Sequence, residues 1–196
     1  TLLDTADMYA NGANEELVAR AIAGRRDEAI IATKCGITTL PVVGLPRGVK
    51  GDPAYIRTSA EASLRRLGTD VIDLYYLHRI DPTVPIAESV GAMAELVDRG
   101  LVREIGLSEV GAADLRTAHA THPIAAIEME WSIVSRELED DVVPVARELG
   151  IGIVAYSPIS RGMLSGDAAA LKPGLLDFRR FLPRWSRRNR EHNAQL

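Results

Sequence analysis

The chain has a single cysteine, Cys35, so no intrachain disulfide can form, and the expected setting is a reducing, cytoplasmic one. It lacks an excess of positive charge: 23 Lys and Arg stand against 27 Asp and Glu, a net charge of −4. No global positive field therefore exists to draw in nucleic acid or an anionic membrane surface. No apolar run reaches the length of about 20 residues that a bilayer-spanning helix needs, so no membrane span is expected. The opening residues read as neither a signal peptide nor an initiator methionine. The opening Thr1-Leu2-Leu3-Asp4 already reads as part of a strand, which predicts a partial domain cut from a longer protein. Four histidines show no metal-ligand spacing, and no strand ends in HxH, which argues against a metal-dependent hydrolase.

What is present is a strict alternation. Six apolar, strand-like runs recur at Leu2–Ala6, Ala29–Thr33, Val71–Leu77, Val102–Leu107, Ala125–Met129 and Gly152–Ala155. Helical periodicity fills most of the gaps between them. Asn14 is placed to cap a helix with Glu15 and Glu16 in its first turn, an apolar face of Leu17, Val18, Ala21 and Ile22, and a stop at Gly24. Asp52 caps a second, with Pro53 at its first position and Gly68 after its end. Others are expected from Pro85 to Gly100, from Ala112 to about His119, and from about Glu139 to Gly150. Gly36–Gly51 reads as a long irregular connection, and Gly162–Leu196 holds no clear βα unit, with residues 167–196 expected to be a mobile loop region.

Repeated βα units with buried strands leave a doubly wound sheet or a (β/α)8 barrel. The first would carry a glycine fingerprint between a strand and its helix. The string Gly150-Ile-Gly152-Ile-Val-Ala155 matches GxGxxA, but it follows a helix and enters a strand, the reverse of the needed context. A (β/α)8 TIM barrel is therefore expected as a single domain, incomplete, with six of its strands in this chain.

Val71–Arg79 (VIDLYYLHR) is the stretch that points to chemistry. A strand buried on both faces ends abruptly in His78, which delivers an imidazole to the carboxyl-end rim where α/β enzymes place their sites. Asp4 ends the first strand with Tyr9 just beyond it, and Lys34 ends the second. A phenol has a pKa of about 10, too weak an acid to protonate an alkoxide readily near neutrality. A nearby ammonium favours the phenolate, a carboxylate holds the ammonium, and an imidazole opposite orients a carbonyl oxygen. Read singly, each of these residues could serve as a cap or a solvated rim group; only their convergence in order argues for catalysis.

The motifs Leu3–Tyr9 (LDTADMY), Ala32–Lys34 (ATK), Ile72–His78 (IDLYYLH), Ile105–Ser108 (IGLS) and Ala155–Gly166 (AYSPISRGMLSG) resemble, in order, the strand-end motifs of the aldo-keto reductases. The resemblance implies a catalytic tetrad of Asp4, Tyr9, Lys34 and His78. It implies a (β/α)8 barrel with NADPH (NADP+) lying across its rim, NADH not excluded, and a small-molecule carbonyl as substrate. Tyr156 would stack on the nicotinamide and Ser108 bond its carboxamide, with Ser157, Pro158, Ile159, Arg161 and Gly162 following the pyrophosphate. Glu109 and Glu128 stand where many members have Asn and Gln; they accept from the carboxamide NH2 but donate nothing to its oxygen. Trp131 is a candidate wall of the substrate pocket. The implied activity is NAD(P)H-dependent reduction of aldehydes or ketones with tyrosine as general acid. The alternative is a slow or non-catalytic redox-sensing protein on the same barrel, as the potassium-channel β subunits of that family are. Cys35 reads as a small buried hydrophobe, and the arginine-rich tail Phe178–Leu196 as no nucleic-acid site.

Overall fold

A computed structural model of the chain describes residues 1–40, 46–166, 174, 177–186, 188, 189 and 193. These fall into two compact units, Thr1–Met129 with Glu137–Val154, and Glu130–Arg136 with Ala155–Leu196.

The strands are β1 (Leu2–Asp4), β2 (Ile30–Cys35), β3 (Ile37–Thr39), β4 (Pro46–Val49), β5 (Ile72–Leu77), β6 (Val102–Ser108), β7 (Ala126–Glu130) and β8 (Gly152–Tyr156). The helices are α1 (Ala13–Ile22), α2 (Pro53–Leu67), α3 (Ile86–Asp98), α4 (Ala112–Thr121) and α5 (Val142–Glu148). Six strands form one sheet in the order β1-β2-β5-β6-β7-β8. The pairs β1–β2, β2–β5, β5–β6 and β6–β7 are parallel. The order never reverses, so the sheet has no switch point of the kind that defines a doubly wound fold. Sequential parallel pairing with a helix between each strand of the sheet and the next is the order of a (β/α) barrel.

Parity along the strands sorts the residues. Ile31, Thr33, Cys35, Tyr75, Leu77, Ile105, Leu107 and Ile127 are fully buried and, apart from Thr33, apolar or aromatic. The alternate residues form the other face: Ala32, Lys34, Tyr76, Gly106, Ala126 and Glu128, with Lys34 opposite Tyr76 and Tyr76 opposite Gly106 in the register. Small and polar residues dominate that face. Gly106 is required there, because a Cβ would lie 2.5 Å from the Tyr76 ring and 2.8 Å from the Ala126 carbonyl oxygen.

Local signals explain most boundaries. The Asp52 carboxylate accepts from the Tyr55 N–H at 3.0 Å, Pro53 opens α2, and Gly68 closes it in a left-handed conformation, as expected. The Gly150–Ala155 string runs from the end of α5 into β8, which removes it as a nucleotide loop.

Two expectations are corrected. Asn14 does not cap α1, which starts at Ala13 after Gly12; its side chain instead accepts from the Thr5 hydroxyl at 2.7 Å. Glu15 does stand in the first turn of α1, as expected, and is fully buried. It accepts from Thr33 Oγ1 at 2.6 Å and from Arg66 Nε at 2.6 Å, and so ties α1 to β2 and α2. The left-handed Gly12 lets the Arg66 side chain pass, since a Cβ there would meet Arg66 Cδ at 2.6 Å. The second correction is Gly36–Gly51, where the expected irregular loop contains the antiparallel pair β3 and β4. Asp81 and Ser89 clasp its far end: Asp81 Oδ2 accepts from the Gly51 N–H at 3.0 Å, and Ser89 Oγ donates to the Gly51 carbonyl at 2.7 Å.

In the second unit, the Arg184 guanidinium donates to Glu130 at 3.0 Å, to Ser160 Oγ at 2.7 Å and to Ser135 Oγ at 2.6 Å. Trp185 is buried beneath Arg179, whose guanidinium carbon lies 4.8 Å from the ring centroid. The expected mobile region 167–196 lies partly outside the described residues. Among the described residues, no helix is long and apolar enough to cross a membrane, and no cluster of His, Cys, Asp and Glu is arranged to hold a metal ion.

Candidate active site

Lys34 is the centre of the first unit's polar rim. Its side chain is fully buried, a placement that a charged amine tolerates only when paired. Strand parity turns it to the same face as Tyr76, and the ammonium donates to Asp4 Oδ2 at 2.5 Å and to the Thr5 carbonyl at 3.0 Å. Glu128 Oε2 lies 3.3 Å away as a second counter-ion. The same ammonium sits 5.4 Å from the Tyr9 ring centroid and 5.9 Å from that of Tyr76. Asp4, Tyr9 and Lys34 are thus brought together by β1, its following loop and β2.

His78 completes the group. Its backbone N–H donates to the Cys35 carbonyl at 2.7 Å, continuing the β2–β5 pairing past the strand end. The imidazole stands edge-on to the Tyr9 ring, centroids 6.0 Å apart at 85°. Burial, reinforced by the Lys34 and Arg79 charges, pushes His78 down to about 3, so it is neutral at physiological pH. Its Nδ1 is buried and has no hydrogen-bond partner among the described residues.

The electrostatics of Tyr9 differ in balance from the sequence expectation. Lys34 does favour the phenolate, but burial is the larger effect, and the Asp4 and Glu128 charges add to it. The phenol is therefore held above its ordinary value. Glu128 is itself raised, first by burial and then by the Asp4 charge, against the opposing Lys34 charge.

Ser108, at the end of β6, is buried and lies opposite Glu128 in the register. Arg79 Nη1 donates to Ser108 Oγ at 3.1 Å and to the His78 carbonyl at 2.6 Å. Glu109 adopts a left-handed backbone and its N–H donates to the Glu128 carbonyl at 3.0 Å.

A family model described as the aldo/keto reductase family matches residues 1–179. The chain belongs to the aldo/keto reductase family. Its six-stranded parallel sheet is accordingly part of a (β/α)8 barrel, as the motif order implied.

Among solved aldo/keto reductase structures, one from Bacillus halodurans in its holo form is 37% identical and superposes with a TM-score of 0.78, over 85% of this chain and 55% of that one. A glycerol dehydrogenase from Gluconobacter oxydans is 30% identical with a TM-score of 0.86, over 98% of this chain and 60% of that one. An aldo/keto reductase from Klebsiella pneumoniae in complex with NADP and acetate is 32% identical with a TM-score of 0.71, over 85% and 56%. This chain thus spans between 55% and 60% of the length of those three structures.

For this aldo/keto reductase chain, the residues proposed for a cofactor divide between the units. Ser108, Glu109 and Glu128 share the rim with Lys34 in the first unit. Tyr156, Ser157, Pro158, Ile159, Arg161 and Gly162, together with Trp131, belong to the second unit. There, Ser157, Ser160, Arg161 and Gly162 all take positive φ, and the Ser160 and Gly162 N–H groups donate within the turn, to the Ser157 and Ile159 carbonyls at 2.7 and 3.1 Å. Three contributors escaped the sequence reading. Arg79 reads as a solvated charge after a strand, although its position directly behind His78 was a signal. Tyr76 shares parity with Lys34 across one register row, and Gly106 makes room for its ring; both lie inside the IDLYYLH and IGLS motifs, but nothing along either strand shows that the two meet.

Proposed function

We propose that this chain forms the catalytic part of an NADPH-dependent reductase of small aldehydes or ketones, with Tyr9 as general acid. The observation that carries the reading is the buried Lys34 ammonium held between Asp4 and Tyr9, with the neutral His78 ring against the same phenol. In this reading Tyr9 donates its proton to the carbonyl oxygen as that oxygen gains charge, and the phenolate left behind faces Lys34. His78, uncharged, orients the carbonyl oxygen through a ring N–H without competing as an acid. Asp4 keeps Lys34 charged and fixed.

The polar groups suit a nicotinamide cofactor. Ser108 and the donors of Arg79 offer hydrogen bonds to a carboxamide oxygen that Glu109 and Glu128 cannot supply, and the buried Glu128 Oε2, which has no hydrogen-bond donor of its own, offers an acceptor to its NH2. The left-handed turn at Ser157–Gly162 suits a diphosphate, and Tyr156 is the stacking candidate. When bound, such a cofactor supplies the hydride that reduces the carbonyl carbon. The Klebsiella pneumoniae relatives in complex with NADP and with NADPH support the phosphorylated form. Trp131 is retained as a candidate wall of the carbonyl pocket.

The test is NADPH oxidation in the presence of nitrobenzaldehyde. Tyr9→Phe should lower turnover by a factor of about 10² or more, the usual worth of a placed general acid. Equal turnover by the variant would remove the acid role. A second reading, slow redox sensing on the same barrel, is favoured by the raised Tyr9 phenol, which makes a poorer acid than Lys34 alone would provide. Tightly retained cofactor with turnover slower than its release would select it.

A further inference from the structure

An ammonium has three protons to give, and three oxygens and the Tyr9 ring surround this one. Asp4 Oδ2 and the Thr5 carbonyl take two of them at 2.5 and 3.0 Å. Two groups compete for the rest of its charge: Glu128 Oε2, at 3.3 Å, and the Tyr9 phenol, whose ring centroid lies 5.4 Å from the ammonium and which Lys34 pushes toward the phenolate. Glu128 Oε2 is sealed from solvent and, among the described residues, has no partner in hydrogen-bonding geometry; the Lys34 ammonium, and after it the Arg79 guanidinium, offset its charge. We propose that Glu128 is a positioning residue that shares Lys34 with Tyr9 and so limits how far the ammonium promotes proton donation by the phenol.

This rests on the reading of Tyr9 as general acid. The groups that face Glu128 are Asp4 from β1, Tyr9 beyond it, Lys34 from β2, Tyr76 from β5 and Arg79 past its end, with Ser108 as its register neighbour. Asp4 is the only other anion among them, and it is partly exposed, so water screens it better than it screens Glu128. Neutralising Glu128 removes the buried one of the two carboxylates that oppose Lys34 and leaves more of the ammonium's field to Tyr9. The phenol then becomes the stronger acid, and its conjugate base forms at lower pH.

The experiment compares the protein with its Glu128→Gln variant at saturating NADPH, recording the pH profile of carbonyl reduction beside cofactor affinity by fluorescence titration. It is paired with an ultraviolet titration of the Tyr9 phenolate, read as the difference between each protein and its own Tyr9→Phe form. The alkaline limb of the profile and the phenolate transition should both move down by about one pH unit, the scale on which a neighbouring charge acts. Glu128→Asp keeps the charge but draws it back from Lys34, so it should shift the transition in the same sense by less. It also serves as the probe if the Gln variant does not fold. An unmoved phenolate transition in a folded variant overturns the proposal, even where cofactor affinity changes. If the unsubstituted protein shows no turnover but the phenolate transition still moves, the coupling stands and the reductase reading fails. If it turns over and the transition stays put, the reductase reading stands and the coupling fails.

Discussion

Asp7 offers the sharpest test of how burial acts in this structure. It lies in the loop between Asp4 and Tyr9, its backbone N–H donating to the Lys34 carbonyl at 3.0 Å, and its Oδ1 is buried with no hydrogen-bond partner. Burial first, and then the charge of the enclosed Glu15, push its carboxyl up to about 7; Arg66 and the Met8 N–H oppose this. The folded value thus exceeds the unfolded one, so folding favours the protonated form. The associated stability is fully present below the unfolded value, near pH 4, and is lost as pH rises through about 7. A gap of about three pH units corresponds to about 4 kcal/mol at full burial. Because the Asp7 carboxyl is only partly enclosed, we expect about half of that, roughly 2 kcal/mol. Asp7→Asn, neutral at every pH, should be more stable than the parent by this amount at pH 8 and indistinguishable from it at pH 4. By thermal melting, the gain at pH 8 should be about 4–8 °C for a domain of this size. A difference that is the same at both pH values, or a loss at pH 8, would refute the argument.

Other perturbations probe the frame around the site. Gly106→Ala places a methyl 2.5 Å from the fully buried Tyr76 ring and 2.8 Å from a backbone oxygen, neither free to yield. Denaturant melts should show a loss of about 1–3 kcal/mol, and turnover should fall further than the folded fraction does, because Tyr76 is one of the two rings beside the Lys34 ammonium. Asp81→Ala removes the acceptor of the Gly51 N–H and of both Thr83 donors. Hydrogen exchange at the Gly51 amide should accelerate by about tenfold, as expected for the loss of a bond worth about 1–1.5 kcal/mol. An unchanged exchange rate would show that Ser89 alone holds the hairpin end.

Local chemistry in the sequence determined a great deal of this protein. The six apolar runs, the Asp52-Pro53 start and Gly68 stop of α2, and the abrupt end of a buried strand at His78 each follow from interactions within a few residues, so they could be read without coordinates. Asp4, Tyr9, Lys34 and His78 were legible because each ends, or closely follows, a run whose length and composition are unmistakable.

Only the tertiary structure decided the rest. Glu15 looks like any acid in a first helical turn until β2 and α2 enclose it with Thr33 and Arg66. Asn14 looks like a cap until Thr5 claims its oxygen. The β3–β4 pair stayed hidden because a short polar hairpin lacks the alternation that a buried face imposes. Above all, the ammonium of Lys34 gains a second carboxylate, Glu128, from β7, three strands away in the sheet order, because the sheet folds as part of a barrel and brings that side chain across to it. A charge's neighbours across a sheet are fixed by the pairing of strands far apart in the chain, and no residue type or spacing along one strand records them.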